Sequence, residues 1–316
     1  MKSEVMRDVL IGEIGRRMKE DETIFFLSAD FGSPALDQVR NDFSDRFINV
    51  GIAEQNLVSV AAGLGIEGFT VYAYAIAPFL SMRAFEQIRI SLAIMAQQRE
   101  VNVNLIGVGA GLSYDVTGPT HHCLEDIAIM RVLPNMSVIS PADSSLMADI
   151  VTYTLTDRRP SYIRLDGKAL PRVLPEGKTD VLARGGSVLR NGEKVCLVAT
   201  GYMTHVALQV ADELRQQGVA VGVLDVLMLS GGKQVALAET LAFYDQIVTM
   251  EEGFVHRGGL DALVHETAVA LHQPSRIHPL GFRDSYVFEV GDRRHLHHVA
   301  GLGTDEIVRF VRSLLT

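Results

Sequence analysis

Short apolar runs alternate with longer helical patterns along the first half of the chain. The short runs are rich in β-branched and aromatic residues, and most of them lack a polar face, which is typical of strands buried on both sides. Strands are predicted at 24–27, 47–50, 101–106, 136–139 and 162–165, and helices at 82–95 and 144–155. Such alternation predicts an α/β fold with a mostly parallel sheet flanked by helices.

The pattern breaks after the last of these strands, where Gly, Pro and charged residues replace any helical period. We predict an interdomain linker at 171–192, which divides the chain into domains 1–170 and 193–316. A second strand and helix series then predicts another α/β layer, with a mostly parallel sheet flanked by helices. Its expected strands are 195–199, 219–226 and 246–250, and its expected helices are 204–216 and 304–314.

The most apolar stretch of the chain is 70–80, and it does not have the features of a membrane anchor. It is about half the length that spans a bilayer and contains Pro78, so it predicts a buried strand that runs into a loop. The N-terminus lacks the basic-then-apolar order of a signal peptide, which favours a cytoplasmic protein. Cys123 and Cys196 match no zinc or redox spacing, and we expect two free, buried thiols.

Composition and charge narrow the possible partners. The chain has 316 residues, enough for about two domains, and 47% of them are hydrophobic. Its 38 acidic and 29 basic side chains give a net charge of −9, and the basic residues are scattered. Because a nucleic-acid interface needs a basic patch, protein and small-molecule partners are favoured.

Glu54 stands directly after a predicted strand, at the start of an apolar helix. Ala53, Leu57, Ala61 and Leu64 form one stripe of that helix, so the acid enters a packed setting. A helix N-terminus stabilises a carboxylate by about 0.3–1 kcal/mol, whereas full burial disfavours it by about 4–7 kcal/mol. Glu54 is therefore either an exposed acid that complements the helix dipole or a buried one that keeps its proton and donates a hydrogen bond.

A glycine-rich turn at 107–111 follows another predicted strand. Its spacing does not fit the dinucleotide-binding fingerprint and no helix follows, so we predict a tight structural turn. The loop then leads to His121, near the carboxyl end of the strand, where open α/β sheets bind ligands. Both a ligand-binding histidine and a merely capping or solvated one fit this position.

A second group of histidines, His295, His297 and His298, lies beside Arg293 and Arg294. These residues do not supply a closed set of metal ligands, because no Cys, Asp or Glu at suitable spacing completes them. We predict a solvated loop here and no metal site in the chain.

Several motifs in one order resemble the C-terminal section of transketolase, in the form of the small subunit of split transketolases. The resemblance covers nearly the whole chain and implies a pyrimidine-binding domain followed by a transketolase C-terminal domain. The motifs are Arg7-Asp8, Ser28-Ala29-Asp30, Gly51-Ile52-Ala53-Glu54-Gln55-Asn56, Arg83-Ala84-Phe85-Glu86-Gln87-Ile88-Arg89, Gly118-Pro119-Thr120-His121, Met130-Arg131-Val132-Leu133-Pro134-Asn135-Met136 and His256-Arg257-Gly258-Gly259-Leu260.

The resemblance implies that thiamine diphosphate is the cofactor and that Glu54 is its catalytic acid. Glu54 would face the aminopyrimidine ring nitrogen, where a shared proton promotes formation of the thiazolium nucleophile. Phe79 matches an aromatic that packs on the pyrimidine, and Asp30 matches an acid near the thiazolium. Ile76 occupies the position of a second cofactor-stacking aromatic.

The substrate residues implied by the resemblance include a catalytic histidine, His121, that contacts the sugar. Arg7 and Ser33 match phosphate-binding residues, and Thr117 lies where an acid recognises a sugar hydroxyl. Gly109 and Gly167 replace a phosphate-binding histidine and arginine. These departures lead us to expect an unusual sugar acceptor, such as a modified or nucleotide-linked sugar, with a two-carbon donor retained.

The Gly-Asp-Gly segment that holds the metal and diphosphate in this family is not found in the sequence. We therefore expect a large subunit to hold Mg²⁺ and the diphosphate, in an α2β2 heterotetramer. The alternatives are a decarboxylase β subunit of a 2-oxo-acid dehydrogenase complex and a non-catalytic assembly subunit. The motifs at 83–89 and 118–121 favour transketolase.

Overall fold

The computed structural model describes residues 3–174, 180–272 and 276–315 and has the predicted α/β order. The strands are β1 (Ser3–Val5), β2 (Ile24–Ser28), β3 (Phe47–Asn49), β4 (Thr70–Ile76), β5 (Val103–Val108), β6 (Ser137–Ile139), β7 (Ser161–Leu165), β8 (Ala169–Pro171), β9 (Gly186–Arg190), β10 (Val195–Ala199), β11 (Gly222–Val226), β12 (Met228–Ser230), β13 (Gln246–Phe254) and β14 (Arg276–Phe282). The α-helices are α1 (Met6–Glu20), α2 (Pro34–Asp42), α3 (Glu54–Ile66), α4 (Phe85–Gln87), α5 (Asp126–Arg131), α6 (Met147–Thr156), α7 (Val181–Arg184), α8 (Tyr202–Gln216), α9 (Val235–Phe243), α10 (Leu260–Ala270), α11 (Arg293–Val299) and α12 (Thr304–Ser313).

The first sheet has seven strands within the described residues, in the order β12-β6-β7-β5-β4-β2-β3. All of its pairs are parallel except β12 with β6. Neighbouring strand residues face opposite sides, so Phe26 belongs to the apolar cluster that includes residues of α1, α2 and α6, while Leu27 belongs to the cluster that includes residues of α3 and α5. Helices on both faces explain why the central strands are apolar throughout.

The second sheet has the order β14-β13-β10-β11-β9 in the described part of the chain. Its pairs are parallel except β9 with β11. Strand β9 falls inside the predicted linker, 171–192, of which residues 175–179 lie outside the described residues. Val188 and Arg190 of this strand are exposed because β9 lies at the edge of the sheet. Its sequence therefore lacks the pattern of a buried strand. The domain limits stay a prediction.

Strand β12 connects the two domains. It comes after β11 in the sequence, yet it pairs antiparallel with β6 and completes the first sheet, with Met228 opposite Ile139. Leu229 belongs to an apolar cluster that contains residues of both domains, including Met130 and Leu224. The hydrophobic core is therefore continuous from one sheet to the other.

Two sequence predictions about local structure need correction. The stretch after β4 was predicted as a loop but is helical. Pro78 has α-helical dihedrals, and the π-helical segment Phe79–Arg83 follows it directly. Proline is tolerated there because the first helical turn needs no amide donor. The helix predicted at 82–95 is α4 flanked by this segment and a second π-helical one, Ile88–Ile94.

The histidine segment predicted as a solvated loop is α11, so that prediction was wrong. Asp292 caps the helix by accepting a hydrogen bond from the His295 amide at 2.9 Å. Arg293 and His297 are both 4% exposed. Their i,i+4 spacing places them on one helix face, and that face packs against acids of other elements.

Those acids form a buried ionic cluster between the domains. Arg293 Nε lies 2.7 Å from Glu252 Oε1, and its Nη1 lies 2.5 Å from Asp166 Oδ2. Glu252 belongs to β13, whereas Asp166 follows β7 of the first sheet. His297 Nε2 adds a contact of 2.6 Å to Glu252 Oε1. Although burial opposes it, the charges of Arg293 and His297 hold the pKa of Glu252 below its usual range.

No helix of the described ranges is long and apolar enough to cross a membrane. Both cysteines are buried and free, as predicted.

Replacing Arg293 by Met should lower the free energy of unfolding by about 3–5 kcal/mol, because Glu252 and Asp166 lose their shared cation while still buried. Urea unfolding at pH 7 measures this loss. Arg294→Met is the matched control, since Arg294 is exposed on the same helix and should change stability little. A loss below about 1 kcal/mol for Arg293→Met would contradict the assigned role of the cluster.

Candidate active site

The predicted site residues gather at one edge of the first sheet. Asp30 follows β2, Glu54 follows β3, Phe79 follows β4 and His121 lies in the loop after β5. Because these strands are parallel, their carboxyl ends meet at the same edge. The fold therefore brings together residues that are far apart in the sequence.

Glu54 is the first residue of α3 and is 3% exposed, which excludes an exposed acid that complements the helix dipole. It is also not an isolated buried acid. Its Oε2 lies 2.5 Å from Nη1 of Arg83, whose side chain is 46% exposed. Its Oε1 has no hydrogen-bond partner among the described residues. One carboxyl oxygen is thus fixed by a guanidinium, and the other is available to a ligand.

A continuous row of side chains leads from Arg83 to Tyr114. The Arg83 guanidinium carbon lies 4.9 Å from the centre of the Phe79 ring. The Phe79 ring contacts His121 edge to face with centroids 5.2 Å apart, and Tyr114 meets the same histidine at 6.5 Å. Thr120 Oγ1 lies 3.1 Å from His121 Nδ1. His121 is therefore held between two aromatic rings and stays partly exposed.

Asp30 and Ser33 are fixed by local hydrogen bonds. Asp30 has a φ of +54°, a left-handed conformation that Asp tolerates. Its Oδ1 accepts from Asn49 Nδ2 at 2.9 Å, and its amide donates to Asn49 Oδ1 at 3.1 Å. Ser33 caps α2 by accepting the Leu36 amide at 3.1 Å. Ile76 ends β4 and is half-buried.

Arg7 and Thr117 complete the predicted set. Arg7 lies in the first turn of α1, and its Nε and Nη2 contact Asp8 Oδ1 and Oδ2 at 2.9 and 3.1 Å. This bidentate pairing compensates the guanidinium charge. Thr117 is exposed at the end of a short 3₁₀ turn, Asp115–Thr117. Nowhere in residues 3–174, 180–272 and 276–315 do three His, Cys, Asp or Glu side chains form a group that could hold a metal.

Two site residues were missed by sequence reasoning. Arg83 was recognised only as part of a motif, and its pairing with Glu54 spans 29 positions. The signal available in the sequence was a basic residue, Arg83, on the segment that follows β4, the next strand after Glu54. Tyr114 was assigned to a loop without a role, and no periodicity marks it.

Comparisons with known proteins identify the family of the chain. The family model described as "Transketolase, pyrimidine binding domain" matches residues 4–172. The model described as "Transketolase, C-terminal domain" matches residues 185–307. The chain belongs to the transketolase family. Membership of this family implies dependence on thiamine diphosphate.

Relatives of this transketolase-family chain include separate subunits. An apulose-4-phosphate transketolase subunit of Actinobacillus succinogenes is 33% identical over 86% of this chain and 86% of the relative. The "6-deoxy-6-sulfo-D-fructose transketolase subunit SqwH" of a Clostridium species is 31% identical over 96% of this chain and 92% of the relative. These matches confirm the resemblance to a transketolase C-terminal section.

Solved structures support the same fold. A structure titled "Split gene transketolase, inactive beta4 tetramer" is 33% identical, with a TM-score of 0.84 over 98% of this chain and 97% of the other. Transketolase from Campylobacter jejuni has a TM-score of 0.80 at 21% identity, over 99% of this chain and 47% of the other. The second match shows the fold alone.

A double-mutant cycle tests the pairing of Glu54 with Arg83. Arg83→Met should lower the free energy of unfolding by about 1–3 kcal/mol, because a buried carboxylate loses its charged donor. Combining it with Glu54→Gln should recover part of that loss, which gives a coupling energy of about 0.5–3 kcal/mol. Urea unfolding of the four proteins measures it. Arg89→Met, on the same helical stretch and exposed, is the control, and strict additivity would refute the pairing.

Proposed function

We propose that this chain is the small subunit of a thiamine-diphosphate-dependent, transketolase-like enzyme that transfers a two-carbon ketol unit to an aldehyde sugar acceptor. The observation that carries the proposal is the buried carboxyl of Glu54, with one oxygen fixed by Arg83 and the other free. The relatives named as transketolase subunits support the same interpretation.

The residues present fit the pyrimidine half of the cofactor. The free Glu54 oxygen can exchange a proton with a heteroaromatic nitrogen, and the Phe79 ring offers an apolar contact beside it. Ile76 and Asp30 lie at the ends of neighbouring strands and would complete the contact. When bound, the cofactor supplies a carbon nucleophile that carries the two-carbon unit. Arg83 fixes the orientation of the Glu54 carboxyl throughout.

The metal and diphosphate would be held by a separate large subunit. One observation that supports this division is that the sequence lacks the Gly-Asp-Gly segment. Two of the relatives are themselves named as subunits of a transketolase. We infer that Mg²⁺ enters with the large subunit and that the assembly is an α2β2 heterotetramer.

The acceptor would bind between His121 and the first turn of α1. His121 can donate a hydrogen bond to sugar oxygens, and the Ser33 hydroxyl, Arg7 and Thr117 would contact the more distant part of the sugar. The glycines at 109 and 167 leave those two positions without a charged side chain that could bind a phosphate. This supports an unusual acceptor, for which we propose a modified or nucleotide-linked sugar.

Glu54→Gln should lower turnover by about 10²–10⁴-fold in the complex reconstituted with the large subunit, because an amide cannot exchange the proton. Mass spectrometry of products from a panel of aldehydes and a ketol donor measures turnover. Exposed Glu86→Gln is the matched control. Unchanged turnover of the Glu54 variant with cofactor bound would leave only an assembly role for this chain. A lipoyl-carrier protein in the purified complex would favour the 2-oxo-acid dehydrogenase alternative.

Cofactor binding should require the partner. Alone, this chain should bind thiamine diphosphate weakly with or without Mg²⁺, because the charged tail of the cofactor finds no metal here. Titration calorimetry of the isolated chain and of the complex makes the comparison. Tight, magnesium-dependent binding by the isolated chain would contradict the proposed division of the site.

A further inference from the structure

Tyr114 occupies the space between two glycines at the sheet edge. A Cβ added to Gly109 would overlap the Tyr114 ring, and one added to Gly167 would lie 3.2 Å from its Cε1 atom. The ring therefore covers the backbone at the ends of β5 and β7. A larger side chain at Gly109 would have to displace the Tyr114 ring, and one at Gly167 would have to shift the ring and Ser113 Oγ, which lies 3.1 Å from the added Cβ.

The loop that carries Tyr114 is anchored on both sides. Ser113 Oγ donates to Asp166 Oδ1 at 2.9 Å and accepts the Gly167 amide at 2.7 Å. Asp115 is buried, pairs with Lys168 and accepts the Arg293 amide at 2.8 Å. Because these hydrogen bonds hold the backbone on both sides of Tyr114, they fix the direction in which its side chain leaves the loop.

The cationic side chains of the site around the Tyr114 ring are paired with acids. Three cationic side chains of the site each have a carboxylate partner: Arg7 with Asp8, Arg83 with Glu54 and Lys168 with Asp115. Burial raises the pKa of Tyr114 to about 12, against the opposing effect of Arg7, so its phenol is neutral at physiological pH. A dianionic group placed here would find a neutral ring and no unpaired cation among these residues.

We propose that Tyr114 is a specificity-determining residue whose neutral ring forms the wall facing the distal end of the acceptor and excludes a phosphate there. The substrate class is thus an aldehyde whose distal end is uncharged where it meets this chain. This inference rests on the proposed function. Half-buried Tyr114 meets His121 edge to face with ring centroids 6.5 Å apart, so the Tyr114 ring lies beside the position at which His121 would hold the sugar.

The test uses the reconstituted complex with hydroxypyruvate as donor and two acceptors, D-glyceraldehyde and D-glyceraldehyde 3-phosphate. The readout is the ratio of kcat/KM for the phosphorylated acceptor to that for the neutral one. We expect a wild-type ratio of one or less. Tyr114→Ala should raise the ratio by about tenfold, because the space opens to the phosphate. Tyr114→Phe should leave the ratio near the wild-type value, because the ring remains.

A second variant adds the charge that the site lacks. Gly167 has no left-handed φ, so Tyr114→Ala/Gly167→Arg directs a guanidinium toward the vacated space, with a small shift of Ser113 Oγ, which lies 3.1 Å from the added Cβ. The ratio should then rise by about a further tenfold, since arginine binds phosphate through two parallel hydrogen bonds. Val116→Ala, on the same loop and 68% exposed in the wild type, is the matched control and should not change the ratio.

The outcomes separate this inference from the function on which it rests. A wild-type preference for the phosphorylated acceptor would overturn the role of Tyr114 while confirming ketol transfer. The same holds if Tyr114→Ala turns over both acceptors with an unchanged ratio. Absence of transfer to either acceptor, and to every aldehyde of the wider panel, would refute the proposed function itself. If Tyr114→Ala does not fold, Tyr114→Leu replaces it, because leucine removes the ring but keeps an apolar side chain in the space, and an unchanged ratio for Tyr114→Leu overturns the role of Tyr114.

Discussion

The arrangement of the molecule depends on a buried guanidinium shared by two domains. Arg293 is paired with Glu252 of the second sheet and with Asp166 at the end of β7 in the first. Bringing such charges out of water costs several kcal/mol per ion, so the cluster is favourable only when all partners are present together. It therefore forms only in the docked arrangement. Through Asp115 and Ser113 the same cluster holds the loop on which Tyr114 lies.

Glu54 and Arg83 also form a pair of opposite charges, but this pair is less completely buried than the interdomain cluster. The carboxyl is buried, but its guanidinium partner is about half exposed. Water can therefore reach the pair from one side, and the cost of burying it is smaller than for the interdomain cluster. An acid so placed keeps a fixed orientation while one oxygen remains open to exchange. This combination suits proton transfer to a ligand better than a fully enclosed pair would.

Regular local patterns were sufficient for most of the fold. Strand 195–199 was predicted with the bounds of β10 because it is an unbroken apolar run. Helix 204–216 lies within α8 and was predicted because its apolar residues follow one helical period. Helix α11 was missed because two of its three buried residues are Arg293 and His297, whose burial depends on Glu252, more than forty positions away. The partner of Glu54 and the position of Tyr114 are likewise long-range features. A family resemblance located the site edge, but only packing defines which side chains meet there.

The last strand of the first sheet is donated by the second domain. Until β12 reaches Ser137–Ile139, the β6 edge of that sheet is an open template for strand addition. During synthesis on the ribosome this edge stays unpaired until about ninety further residues have been made, which is the separation between β6 and β12. Chain elongation thus imposes an interval in which two nascent copies could pair wrongly. The domains are best regarded as one cooperative folding unit.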